Sequence, residues 1–163
     1  MYTLTWDQGS AYDFFISLYV LHKPADFGLR PSWAAGVRSR LPAAQREMLE
    51  KSQAFLQAPL PFLHRLTAPT KNADAVISYL ASLAPSERLA AITYQPDRSP
   101  EALEALQQIA RDGSYNLDQL EVVRNTYSRR GVALRTNVLH DLCTAWADLD
   151  VFGTQYLEAL KIY

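Results

Sequence analysis

The sequence has little of several features that would narrow its function. Among its 163 residues Cys143 is the single cysteine, so no disulfide forms within the chain and a reducing compartment is expected. No apolar run approaches the roughly 18 residues of a membrane span, and the first residues lack the pattern of a signal peptide. The six glycines are isolated, which excludes a phosphate-binding loop. We therefore expect a cytoplasmic protein with no cofactor and no membrane association.

The chain also lacks an excess of charge of either sign. Lysine and arginine total 16 and aspartate and glutamate total 17, which gives a net charge of -1. Proteins whose main partner is nucleic acid usually carry a clear basic excess. The chain is 48% apolar, which is too much for a disordered segment. These values suit one globular domain over residues 1–163, since such a chain buries roughly 70% of its unfolded surface.

Hydrophobic periodicity predicts an all-α bundle of about eight helices. Residues 2–6 alternate between apolar and polar side chains, which indicates a short extended strand. Farther along, apolar residues recur at helical spacing, and prolines and glycines separate the segments. Residues 62–66 form a brief apolar segment, and the two prolines within 95–100 mark a loop and a possible subdomain boundary. The predicted helices cover residues 10–23, 32–40, 42–57, 72–83, 85–92, 99–112, 116–127 and 132–163.

The last predicted helix is the longest, because residues 132–163 contain no proline and one glycine. A continuous helix of that length would span about 45 Å. Apolar residues follow a four-three spacing along it, typical of the seam of a bundle or coiled coil. We predict that this seam packs the domain or forms a homodimer. We also expect that the natural protein continues beyond Tyr163 or that a partner covers this end. The seam consists of Val138, Leu142, Leu149, Phe152 and Tyr156.

The same helix carries residues that have two possible interpretations. His140 and Cys143 are three residues apart and could begin a metal site, but a buried cysteine beside a hydrogen-bonded histidine is the commoner arrangement. We therefore predict no metal ligands and no catalytic residues. Asp141 and Asp148 can share one helix face, and we assign that face to solvent rather than to a carboxylate pair.

Two clusters of arginine suggest contacts with a partner. The first surrounds Gly131 in the outline of a helix-turn-helix, but the helix after it is too long and apolar to be a recognition helix. We therefore predict no DNA-binding residues in this chain. The second cluster combines a tryptophan with three arginines, either as an anion or partner site or as a core tryptophan with arginines that reach outward. The first cluster is Arg124, Arg129, Arg130 and Arg135; the second is Trp33, Arg30, Arg38 and Arg40.

Residues 6–41 resemble the N-terminal region of a group of bacterial ArsR-type winged-helix transcriptional regulators. The resemblance is carried by Trp6-Asp7 and by residues 11–18, 20–24, 27–30 and 33–41. In that group a helical region precedes a DNA-binding winged helix. Nothing after Gly131 has the pattern of a winged helix, and one cysteine cannot supply the paired-cysteine metal site of the metal-sensing members. The resemblance therefore implies a regulator's N-terminal domain whose DNA-binding part lies outside this chain.

The expected function is accordingly regulatory and non-catalytic. The chain would serve dimerisation or ligand sensing in a bacterial transcriptional regulator, with a homodimer formed through the C-terminal helix. The small-molecule ligand is not specified by the sequence. The alternative is a free-standing helical protein-interaction module without a link to DNA.

Overall fold

A computed structural model describes residues 7–67, 71–94, 99–129 and 134–163. Within these ranges every regular element is helical, which confirms the all-α class. The predicted strand at residues 2–6 lies outside the described residues. A short 3₁₀ turn, Pro24–Phe27, follows the first helix. The α-helices are Ser10–His22 (α1), Pro31–Arg38 (α2), Ala43–Phe55 (α3), Leu60–Arg65 (α4), Ala73–Ser82 (α5), Pro85–Ile92 (α6), Pro100–Asp112 (α7), Leu117–Arg129 (α8), Thr136–Ala147 (α9) and Leu149–Ile162 (α10).

The ends of α7 follow from the local sequence, as predicted. The Ser99 hydroxyl accepts a hydrogen bond from the Ala102 N–H at 3.2 Å, and Pro100 occupies the first helical position. Gly113 ends the helix with a φ of 63°, a left-handed conformation that glycine adopts without strain. Short-range rules therefore suffice to place α7.

The prediction of one continuous C-terminal helix is wrong. Helix α9 ends at Ala147 and α10 begins at Leu149, with Asp148 between them at φ -133° and ψ 69°. The Asp148 carboxylate accepts a hydrogen bond from the Val151 N–H at 3.3 Å and so begins a new helix. A second difference is that the brief apolar segment near residue 62 is the helix α4. Together these differences give ten helices in the described ranges instead of about eight.

The start of α1 is joined to the start of α5 by contacts that no short-range pattern contains. The Ser10 hydroxyl at the start of α1 accepts a hydrogen bond from the Ala73 N–H at 3.0 Å. Asp7 forms an ion pair with the buried Lys71 and accepts a hydrogen bond from the Tyr12 hydroxyl. Burial and the bond to Asp7 raise the pKa of Tyr12 to about 12. Two helix N-termini are thus held together across 60 residues of sequence.

Helices α6 and α10 approach so closely that only glycine fits between them. A Cβ atom on Gly153 would lie 2.0 Å from the carbonyl oxygen of Pro85. The buried Arg88 reinforces this contact, because its guanidinium donates to the carbonyl oxygens of Leu80, Leu83 and Gly153 at 2.9, 3.1 and 3.1 Å. No carboxylate pairs with Arg88 in the described part of the chain. Backbone carbonyls therefore hold this buried charge.

One hydrophobic cluster contains residues from before and after positions 95–100, which the sequence suggested as a possible subdomain boundary. Leu89 before these positions and Leu106 after them belong to the same core. Helix α7 packs against α8 and α9, while α9 and α10 pack against α3. Among the residues described, no helix is both long and apolar enough to cross a bilayer.

The predicted seam of the last helix lies mostly inside the domain. Leu142, Phe152 and Tyr156 are buried in the core of their own chain, whereas Val138 and Leu149 are half-buried. Their packing role is therefore filled within one chain. The three buried side chains are not accessible to a second copy while the domain stays folded.

Candidate functional site

A groove runs where α3 meets the junction of α9 and α10. It consists of two adjoining cavities of about 370 and 240 Å³, which share Met48, Lys51 and Gln155 in their linings. Volumes of this order suit small molecules. We call this feature the α3–α10 groove. Its remaining lining residues are Ala44, Gln45, Glu47, Ser52 and Phe55 on α3, Asp141, Thr144 and Ala145 on α9, Asp148 at the junction, and Val151, Phe152 and Glu158 on α10.

The floor of the groove is apolar. The rings of Phe55 and Phe152 lie with their centroids 6.1 Å apart, and both are almost fully buried. Met48 is half-buried beside them, and Val151 at the margin is 48% exposed. Aromatic rings and a flexible thioether form a surface that adapts to the shape of an apolar ligand.

The rim of the groove is acidic. Four carboxylates, those of Glu47, Asp141, Asp148 and Glu158, line it together with the single ammonium of Lys51. Glu47 pairs with Lys51 at 2.8 Å. Asp148 is partly engaged as the cap of α10. Asp141 and Glu158 have no ion pair among the described residues, so the groove retains an excess of negative charge.

The shifted pKa values agree with this charge distribution. The bond to Glu47 raises the pKa of Lys51, and the charge of Asp141 adds to the increase. The same pair lowers the pKa of Glu47. The Glu47–Lys51 pair therefore favours the charged form of both its members.

The break between α9 and α10 creates the geometry of the groove. Because Asp148 ends one helix and starts the next, the chain changes direction against α3. Asp141 on α9 lines one of the two adjoining cavities beside α3, and Glu158 on α10 lines the other. In one straight helix, the lining residues of α9 and of α10 would follow one another along a single axis.

The two hydroxyl groups that line the groove are engaged within the domain. The Ser52 hydroxyl is fully buried and donates to the Leu49 carbonyl oxygen at 3.2 Å. The Thr144 hydroxyl lies 3.4 Å from that of Tyr115. Neither hydroxyl contacts a base that would activate it, in contrast to the nucleophile–base pairs of acyl-transfer sites. The groove offers an apolar floor and an acidic rim.

The tryptophan–arginine cluster predicted from the sequence is only partly brought together. Trp33 is 52% exposed and borders a shallow depression with Arg30. Arg38 is instead turned inward, where it donates to the Leu21 carbonyl oxygen at 2.7 Å and lies 3.4 Å from Glu50. Arg40 is exposed beyond the end of α2. Trp33 is therefore a surface residue, and Arg38 is structural.

The residues weighed as a metal site occupy different environments. Cys143 is fully buried, and this burial raises the pKa of its thiol to about 11. His140 is exposed, with its Nδ1 atom 3.1 Å from the Tyr115 hydroxyl. No group of three potential metal ligands occurs in residues 7–67, 71–94, 99–129 and 134–163.

Of the first arginine cluster, the structure describes the side chains of Arg124 and Arg135. Arg124 is exposed on α8, and Arg135 directly precedes α9. The structure does not describe the side chain of Arg129. Arg130 and the Gly131 turn lie outside the described residues. These positions add nothing to the helix-turn-helix interpretation.

Sequence reasoning missed the groove, although one signal pointed to it. Asp141 and Asp148 share a helix face in the sequence pattern, and both line the groove. Their assignment to a solvent-facing surface overlooked α3, which packs beside them. Lys51 and Met48 carried no signal of their own, because their role depends on a contact between distant helices.

The chain was compared with protein-family models, with curated proteins and with solved structures, and none matched. The groove therefore has to be interpreted from its own chemistry.

Proposed function

We propose that this chain is a non-catalytic regulatory domain that senses a small amphipathic cation in the α3–α10 groove. The observation that carries the proposal is the pairing of an apolar floor with an acidic rim in one cleft. An organic cation with an apolar tail would place the tail on Phe55 and Phe152. Its charged head would face Asp141 and Glu158.

The physical basis of the proposed selectivity is electrostatic. A cation about 5 Å from one carboxylate gains about 1 kcal/mol at a solvent-exposed site, which corresponds to roughly fivefold in affinity. An anion of the same size is repelled by a similar amount. The apolar tail contributes affinity for either ligand, and the rim decides between them.

The link to transcriptional regulation depends on the resemblance of residues 6–41 to ArsR-type regulators. In that proposal DNA is contacted through a domain outside this sequence, and ligand binding in the groove biases the position of α10. The placement of the groove supports this role, because Val151, Gln155 and Glu158 of α10 line it.

Calorimetric titration with octyltrimethylammonium, kept below its micelle concentration and at low salt, tests the proposal. We expect saturable binding of one cation per chain. Asp141→Asn should weaken it roughly fivefold, and the double variant Asp141→Asn/Glu158→Gln roughly twentyfold. Added salt should weaken binding to the wild type more than to the double variant.

Asp118→Asn is the matched control, since it removes the same charge from an exposed position on α8 outside the groove. It should leave the affinity unchanged. Absence of saturable binding, or equal affinity in the wild type and the double variant, would contradict the proposal.

A homodimer through the C-terminal helix is a further expectation, and one stripe on α10 favours it. Val151 and Ile162 lie on one face of α10, and each is 48% exposed. Gln155 and Glu158 lie between them on that face and line the groove. A second copy docked there would cover the groove, so dimer formation and cation binding would compete.

Sedimentation of wild type and Ile162→Lys, with and without octyltrimethylammonium, tests this homodimer. A wild-type chain that is monomeric at all concentrations refutes the dimer.

The second candidate function is a protein-interaction module. Phe27, Leu29 and Trp33 are 47%, 38% and 52% exposed around the start of α2, and Phe27 contacts Tyr19 edge to face. The basic Lys23 and Arg30 border the same surface, so an acidic partner segment suits it better than a second copy with like charges. Binding of an acidic aromatic peptide that Trp33→Ala abolishes would favour this function; unchanged binding would remove it.

A further inference from the structure

A second cavity, of about 440 Å³, lies between the C-terminal ends of α1 and α3 and the start of α9. We call it the basic pocket. It is separate from the α3–α10 groove, with which it shares only Phe55 among its lining residues. Its volume lies within the range of small-molecule sites.

The charge of the basic pocket is opposite to that of the groove. Lys23 and Arg135 line it, and no carboxylate does among the residues described. Arg135 has no ion pair in that part of the chain, and the ammonium of Lys23 lies 4.7 Å above the Tyr19 ring. Burial lowers the pKa of the neighbouring His22, so its imidazole is neutral near pH 7. Two fixed positive charges remain.

The first turn of α9 adds to this positive potential. Arg135, Leu134 and Val138 line the pocket, so the N-terminal end of this 12-residue helix borders it. No side chain among the described residues caps that end. The C-terminal ends of α1 and α3 each contribute a partial negative charge of about half an elementary charge, which together offset only about one of the two full cations.

The remaining wall of the pocket is apolar. Phe55 and Leu56 of the α3 end and Val138 of α9 provide a surface on which an aliphatic or aromatic tail can pack. Hydrophobic burial supplies affinity, while the charged groups select the head group.

We propose that the basic pocket is a binding site for an amphipathic carboxylate, with the carboxylate between Lys23 and Arg135 and the tail against Phe55 and Val138. The domain then holds two sites of opposite selectivity on the two sides of Phe55. The second site does not depend on the first, because different charged residues form each.

The test uses two ligands with the same tail and opposite heads, octanoate and octyltrimethylammonium, in calorimetric titrations of the full chain. We expect octanoate to bind saturably. Arg135→Gln should weaken octanoate roughly fivefold and Lys23→Gln/Arg135→Gln roughly twentyfold. Neither change should alter the affinity for octyltrimethylammonium by more than about twofold.

Asp141→Asn/Glu158→Gln provides the reciprocal control, since it alters the groove and should leave octanoate binding intact. Absence of saturable octanoate binding would overturn the inference even if the cation binds. Equal octanoate affinity in wild type and in Lys23→Gln/Arg135→Gln would overturn it as well. Competition between the two ligands for one site would show a single unselective cavity and also refute it. If octanoate binds but octyltrimethylammonium does not, only the proposed function of the groove is refuted.

Discussion

Gly153→Ala probes the contact between α6 and α10 that positions the α10 side of the α3–α10 groove. The added Cβ atom would lie 2.0 Å from the Pro85 carbonyl oxygen and 2.8 Å from its carbon. These are backbone atoms, so α6 and α10 must separate by more than 1 Å, as an estimate from ordinary contact distances. Separation also breaks the hydrogen bond from Arg88 to the Gly153 carbonyl oxygen.

The magnitude follows from three terms. Overpacking of a tight core contact costs about 3 kcal/mol. The lost charge-assisted hydrogen bond adds about 1.5 kcal/mol. Replacing glycine by alanine inside a helix stabilises the folded state by about 1 kcal/mol. We therefore expect Gly153→Ala to lower the free energy of unfolding by about 3.5 kcal/mol, a large part of the 5–15 kcal/mol of a typical domain.

Guanidinium chloride unfolding followed by far-UV circular dichroism measures this change. Gly36→Ala is the matched control, because Gly36 also lies inside a helix but has no atom within 4 Å of its Cβ position. That control should be as stable as the wild type or more stable, by up to about 1 kcal/mol. If Gly153→Ala is as stable as Gly36→Ala, the close α6–α10 contact is refuted.

Three further predictions concern Arg88, Asp7 and Cys143. Arg88→Met should lower the free energy of unfolding by about 3 kcal/mol in the same assay, because four carbonyl oxygens lose their donor, and a loss below about 1 kcal/mol would refute that role. Lys71 lowers the pKa of Asp7 below its ordinary 3.8, so the pair stabilises the fold above that pH and the contribution is lost as pH falls through the lowered pKa. Asp7→Asn should therefore flatten the decline of the unfolding midpoint at acid pH, and an unchanged pH profile would contradict the pair. Cys143, with its thiol pKa raised to about 11, should react with a thiol reagent only as fast as the chain unfolds; rapid labelling of the native protein would show that it is accessible.

Short-range patterns were enough to predict the helical class and several helix ends. Ser99, Pro100 and Gly113 act on neighbouring backbone groups, so their effect is contained in a few residues of sequence. Asp148 had the same capability, but the apolar stripes on both sides of it suggested an uninterrupted helix. The structure shows that its carboxylate begins a new helix instead.

The candidate sites could not be predicted, because each depends on side chains that distant helices bring together. The rim of the groove joins Lys51 of α3 with Asp141 of α9, and the basic pocket joins Lys23 of α1 with Arg135 before α9. Trp33 and Arg38 show the opposite case, in which residues close in sequence are separated in the structure. Their closeness in the sequence suggested one cluster. The Trp33 side chain faces solvent, however, whereas Arg38 bonds to α1 and α3.

The central claim, a cation in the α3–α10 groove, is tested most directly at Met48. The chain has two methionines, and Met48 lines both cavities of the groove. Carbon-13 methyl labelling of methionine therefore gives two resonances, which Met48→Leu assigns. Titration with octyltrimethylammonium should shift the Met48 resonance saturably, with the dissociation constant found by calorimetry and with loss of the shift in Asp141→Asn/Glu158→Gln. A Met48 resonance that stays in place while the cation saturates its calorimetric site would contradict the account.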